Sequence, residues 1–251
     1  ADLPAALADG EGRRGRWRGQ DDLLPLILGD DPAASVAGLL GALRDGCTPE
    51  ELASTVAYAA ALRIARFHTS NEFGDWDTAL HTFTFANAIQ QGLRRAPSAE
   101  LLRGVFDAAM STYLDRFLNI PAARIPEPGA GDGTAPDSLL RALPGLLDRQ
   151  QQVNEAGELV ARYLHGGGDP DRLIALLGKL LLREDRDFHT IQMIEAAARQ
   201  FADRRGTPAG THVLIAAARY LAAHAPTTRA QGQTYQIAQR LYRGDKLFEE
   251  E

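Results

Sequence analysis

Two stretches of the chain match each other at a constant offset of 121 residues, which favours a fold built from related halves. Residues 43–69 and 164–190 each contain a proline that suits a helix start, and each ends in the tripeptide Phe-His-Thr. The distance from proline to histidine is 19 residues in both, from Pro49 to His68 and from Pro170 to His189. This repetition predicts a pair of similar helical units.

A further histidine begins an apolar helical stretch after each copy, at His81 and at His212. Four of the six histidines therefore follow the duplicated pattern. A duplication that served packing alone would repeat only the apolar periodicity. The repetition of histidines therefore indicates a site shared between the halves.

The helix signals predict an all-α, single helical domain built from two related repeats. No run of alternating β-branched residues is present, and the alanine- and leucine-rich stretches suit about eight to ten helices. Asp31-Pro32, Thr48 with Glu51, Ser98 and Asp169-Pro170 are typical of helix N-termini, and Asp75 is a further candidate cap.

The chain divides at its clearest loop, a proline- and glycine-rich segment over 120–136. We expect an N-terminal arm over 1–30, because residues 1–20 are polar and rich in glycine and arginine. The first helical repeat, with a following helix, covers 31–119. The second repeat and a C-terminal helix cover 137–251.

Charge and composition exclude several classes of function. A net charge of −6 and a pI near 5.6 argue against nucleic-acid binding, which usually needs a basic surface. No apolar run is long enough to cross a bilayer, so no membrane association is expected. The single cysteine, Cys47, excludes an internal disulfide and fits a reducing, cytoplasmic location.

Carboxylates stand at helical spacing from three of the four histidines. Glu72 lies four residues after His68, and Asp185 lies four residues before His189. In the same way, Asp77 precedes His81 by four residues. Facing helices that carry such pairs build metal sites in helical bundles, and mixed sets of this kind suit iron, manganese or zinc.

Other interpretations of the same residues stay open. Two histidines from opposite halves could ligate haem, or a histidine oriented by Asp77 or Asp185 could catalyse proton transfer without a metal. In a non-enzymatic interaction or scaffold protein, the histidines would only be hydrogen-bonded core residues. His165 and His224 are interpreted as helix C-terminal residues, and Cys47 as a small, partly buried residue.

Several segments resemble known families. Residues 67–88, 115–119 and 187–196 resemble a helical domain of bacterial proteins that also carry a Rieske [2Fe-2S] domain, and more distantly the questin oxidase-like family of oxygenases. The resemblance implies redox work on a small-molecule substrate with a Rieske-type or ferredoxin electron donor. The chain has no Cys-x-His…Cys-x-x-His pair, so it contains no Rieske domain itself.

The residues from Thr48 to Leu52 also resemble the helical repeats of carboxymuconolactone decarboxylases and alkylhydroperoxidases. Their redox members use a Cys-x-x-Cys pair. This chain lacks such a pair, and thiol peroxidase chemistry is not implied.

The leading hypothesis is an oxidoreductase, similar to an oxygenase, with a non-haem iron held between the repeats. It assigns four histidines as ligands and three carboxylates as ligands or orienting groups. These residues are His68, His81, His189, His212, Glu72, Asp77 and Asp185.

Overall fold

The computed structural model describes residues 2–127, 133–185 and 187–244, and within them the chain is all-helical with no β-strand. The α-helices are α1 (Leu3–Gly10), α2 (Gln20–Leu28), α3 (Pro32–Arg44), α4 (Pro49–Ala65), α5 (Phe73–Arg95), α6 (Ala99–Leu114), α7 (Pro136–Leu146), α8 (Val153–His165), α9 (Pro170–Arg183), α10 (Phe188–Asp203), α11 (Pro208–Ala223) and α12 (Gln231–Tyr242). Short 3₁₀ helices cover Glu11–Arg13 and Asp115–Leu118. The all-α prediction is confirmed, with more helices than the predicted eight to ten.

Side-chain caps set many of the helix starts, as the sequence predicts. Thr48 and Glu51 form a reciprocal capping box at the start of α4. Ser98 accepts from the backbone of Leu101 at the start of α6, and Asp169 caps α9. These bonds satisfy backbone donors that have no partner inside the helix.

The N-terminal region, for which an arm is predicted over 1–30, contains two helices. These are α1 and α2, and Ala6, Trp17 and Ile27 are buried in the core. Helix α1 lies so close to the end of α3 that a Cβ at Gly10 would clash with the carbonyl oxygen of Leu43. The apolar residues of this region therefore pack against the helices that follow.

Two hydrophobic clusters form the core, and α4 and α5 belong to both. The first half of α4, including Ala53 and Val56, packs in the cluster with α1, α2, α3 and α6. The second half of α4, including Ile64, packs with α7 to α11. Helix α5 crosses between the clusters in the same way. The described residues therefore form one packed helical domain.

The two matched stretches agree at their start and diverge later. Helices α4 and α9 begin at the matched Pro49 and Pro170. After Phe-His-Thr, the first copy continues through a turn into the long α5, whereas the second continues through α10 and a further helix, α11. His81 consequently lies on the first helix after its tripeptide, α5, whereas His212 lies on α11, one helix further along the chain than α10. A duplicated structural unit stays a prediction.

The proline- and glycine-rich segment 120–136 is described over 120–127 and 133–136. Residues 121–127 have no helix or strand, and the backbone N–H of Ala123 donates to the carbonyl of Arg66 at 2.7 Å. Most of the predicted Gly-Ala-Gly-Asp-Gly run lies outside the described residues. In the part of the chain that the structure describes, no helix has the length and apolar character needed to span a membrane.

Candidate functional site

The structure brings together two of the predicted ligands, His81 and His189. Their ring centroids lie 5.0 Å apart in an edge-to-face arrangement between α5 and α10. Nδ1 of His189 lies 3.2 Å from a carboxylate oxygen of Asp187, which is also the N-cap of α10. The acid that pairs with His189 is therefore Asp187, whereas the prediction named Asp185.

The three predicted carboxylates have other partners. Asp77 accepts a hydrogen bond of 2.6 Å from the hydroxyl of Tyr220, and Nε2 of His224 lies 3.3 Å from the same oxygen. Glu72 is the exposed N-cap of α5, so it does not share a helix face with His68, which precedes that helix. Asp185 accepts from the hydroxyl of Thr228.

His68 lies in the turn between α4 and α5. Its Nδ1 is 2.7 Å from the hydroxyl of Ser70, and its backbone N–H donates to the side chain of Asn119. His68 is half-buried and lines a cleft, away from the pair formed by His81 and His189.

His212 makes a buried contact on the first turns of α11. Its Nδ1 lies 2.7 Å from the hydroxyl of Tyr58, and the two rings are nearly parallel. Burial lowers the pKa of His212, and the positive charges of Arg66 and His165 lower it further. Burial raises the pKa of Tyr58, so this phenol stays protonated at neutral pH.

The predicted metal ligands are thus distributed over separate places. Across the described residues, no group of three or more His, Cys, Asp or Glu side chains could hold a metal ion. The predicted iron centre therefore has no support among the described residues.

Two clefts lie on either side of the segment 121–127, and each contains a predicted histidine. The first cleft has a volume of about 1120 Å³ and contains His68; the second has a volume of about 1190 Å³ and contains His212. Both are lined by residues 122–127 and by His165. Three of the six histidines therefore face this pair of clefts.

Arg219 forms the floor of the first cleft and is 1% exposed. Its guanidinium donates to the carbonyl of Phe67 at 2.6 Å and to the side-chain oxygen of Asn154 at 2.8 Å, while Nε has no hydrogen-bond partner. Burial lowers the pKa of Arg219 to about 10, against an opposing effect of Glu155, so the group is charged at neutral pH.

Sequence reasoning missed several of these residues. His165 and His224 do lie at helix ends, as predicted, but His165 also lines both clefts and His224 faces Asp77. Arg219 gave a usable signal, because it is the one charged residue in the apolar run 213–223. A lone charge within such a run needs a specific partner.

No family model, curated protein or solved structure matches the chain.

Proposed function

We propose that the protein binds a small-molecule substrate in the two clefts beside the segment 121–127, with His212 as its acid–base group. The observation that supports this most strongly is the hydrogen bond of 2.7 Å between Tyr58 and Nδ1 of His212 at the wall of the second cleft. Concave sites lined by apolar groups and a few placed polar groups are typical of small-molecule binding.

The contact with Tyr58 fixes the ring and leaves Nε2 without a hydrogen bond to a described residue. Since burial and nearby positive charge lower its pKa, His212 is neutral at pH 7. In the tautomer whose Nδ1–H donates to the oxygen of Tyr58, Nε2 holds a lone pair and can accept a proton from a bound molecule. This is metal-free acid–base chemistry, as in one of the alternatives that the sequence left open, but the orienting residue is Tyr58 and not Asp77 or Asp185.

Thermal-shift measurements with a panel of neutral, cationic and anionic metabolites test the proposal. We expect some compounds to raise the melting temperature of the wild type and to lose most of this effect in His212→Gln. His189→Gln is the matched control, because His189 lies outside both clefts, and it should retain the full effect. Equal loss in the two variants, or no stabilising compound, would contradict the proposal.

The non-haem iron oxidoreductase stays a prediction, with one structural observation in its favour. His81 and His189 bring two imidazoles together, although the described residues provide no third ligand that completes a metal site. Elemental analysis and a visible spectrum of the purified protein decide the matter. Near-stoichiometric iron would support it, a Soret band would indicate haem instead, and the absence of both would exclude both.

A further inference from the structure

Among the described residues, Arg219 is a buried positive charge without a counter-ion. No carboxylate of these residues forms an ion pair with it, although the charge of Glu155 acts to raise its pKa. Its partners are a carbonyl and an amide oxygen, and its Nε–H is left unpaired. Burial of a charge without a carboxylate partner costs free energy. An anion bound close to Arg219 would offset this cost.

Close packing against α8 holds the side chain of Arg219 beneath the first cleft. Its stem passes over Gly157 of α8, where a Cβ would stand 3.0 Å from Cγ of the arginine. A larger residue at 157 would displace the side chain. The guanidinium is therefore fixed under the first cleft by a close helix contact between α8 and α11.

Asn154 connects this buried charge to the cleft. Its side-chain oxygen accepts from Arg219, so its amide nitrogen, with two donor hydrogens, is directed away from the guanidinium. Asn154 is exposed and lines the first cleft. It can thus donate to a ligand that lies above Arg219.

The other charged residues that line the first cleft balance each other. Arg124 and Arg162 stand around it, against the two carboxylates Glu127 and Glu158. Arg219 is a third arginine of the lining, so it leaves the cleft with one positive charge in excess. This excess is opposite in sign to the net charge of −6 of the whole chain. A positive charge beside a cleft attracts ligands of the opposite sign.

We infer that the first cleft binds a small oxyanion, a carboxylate or a phosphate, with Asn154 donating to it and Arg219 supplying the compensating charge. This inference rests on the proposed function, since it names the class of ligand for the same pair of clefts. Arg219 acts as a positioning residue, because it orients the amide of Asn154 and neutralises the ligand from below.

Calorimetric titration at constant ionic strength tests the inference, with inorganic phosphate, succinate and the neutral succinamide as probes. We expect phosphate or succinate to bind saturably and succinamide not to bind. Asn154→Ala, at an exposed position, should weaken binding at least about tenfold, because it removes a hydrogen bond to a charged ligand. Arg219→Met should abolish it.

Arg199→Gln is the matched control, since Arg199 is an exposed arginine of α10 paired with Glu195 outside the cleft. It should leave the affinity unchanged. If Arg219→Met does not fold, Asn154→Ala carries the test alone. Equal weakening in Asn154→Ala and Arg199→Gln, or binding of succinamide as tight as that of succinate, would overturn the inference.

The outcomes separate this inference from the proposed function. If neutral compounds alone stabilise the protein and His212→Gln removes their effect, the oxyanion inference fails and the proposed function stands. If neither phosphate, succinate nor any compound of the wider panel binds, both fail.

Discussion

The two Phe-His-Thr tripeptides have the same sequence and the same distance from a helix-starting proline, yet they have opposite surroundings. Phe67 is fully buried against Trp76, with ring centroids 4.9 Å apart, and His68 lies in a turn beside the first cleft. Phe188 is 59% exposed, and His189 lies in the first turn of α10.

The residue before each tripeptide explains the difference. Arg66 is the C-cap of α4, so the first tripeptide leaves a helix and its phenylalanine turns back into the core. Asp187 is the N-cap of α10, so the second tripeptide enters a helix and its phenylalanine points outwards. The phenylalanine is therefore buried where its tripeptide follows a helix C-cap, and exposed where its tripeptide follows a helix N-cap.

The largest expected effect comes from truncating the two phenylalanines. Phe67→Ala should lower the free energy of unfolding by about 3–5 kcal/mol, since it leaves a cavity in the core. Phe188→Ala should change it by less than about 0.5 kcal/mol, because the ring is already exposed. Urea denaturation of the two variants measures both values. Similar losses would show that the two copies have equivalent surroundings.

A smaller effect is expected from the cap that separates the copies. Asp187→Ala should lower the free energy of unfolding by about 1 kcal/mol, because the backbone N–H of Thr190 loses its partner. Arg66→Ala is the matched control and should change it little, since Arg66 provides no side-chain cap. Equal effects would contradict this explanation of the two environments.

The same cap predicts an acid dependence. Burial acts to raise the pKa of Asp187, but hydrogen bonds from Thr190 and His189 outweigh it and lower the pKa. The stabilisation is therefore complete above about pH 4, the usual value for an aspartate, and is lost as the pH falls through the lower folded value. The difference between the wild type and Asp187→Ala should disappear at low pH.

The smallest effect concerns the histidine that follows each copy. Because the folded state lowers the pKa of His212, the unfolded chain binds its proton more readily. Its stabilisation is complete above about pH 6.5 and is lost as the pH falls towards the folded pKa. His212→Gln should flatten the decline of unfolding free energy between pH 7 and pH 5, measured by urea denaturation.

His81→Gln is the matched control, because His81 follows the first copy at an exposed position. The NMR titration midpoint of His212 should lie below about 6.5. Equal flattening in both variants would contradict the assignment to the buried contact with Tyr58.

The sequence predicts what depends on neighbours in the chain. The capping box of Thr48 and Glu51 is confirmed because its groups lie three residues apart and need no other element. The predicted pairing of Asp185 with His189 is not formed, because it also depends on local structure. Four-residue spacing brings side chains together only inside a helix, and α10 begins at Phe188, after the aspartate.

Long-range contacts could not be predicted in this way. The contact between His81 and His189 joins residues of two helices, and that between Tyr58 and His212 joins residues 154 positions apart. The clefts depend on how residues 121–127 pack against α8 and α11. No local pattern records these placements, although the lone Arg219 in an apolar run is a signal from which a special environment could have been predicted.

The passage of α4 and α5 through both hydrophobic clusters has a consequence for amide hydrogen exchange. If either cluster opened alone, one half of α4 and of α5 would lose its packing contacts while the other half stayed packed. The chain should therefore open as one cooperative unit, and the slowest-exchanging amides should lie in the middle of α4. Protection should fall from there towards α12, whose described side chains from Gly232 onwards are all exposed.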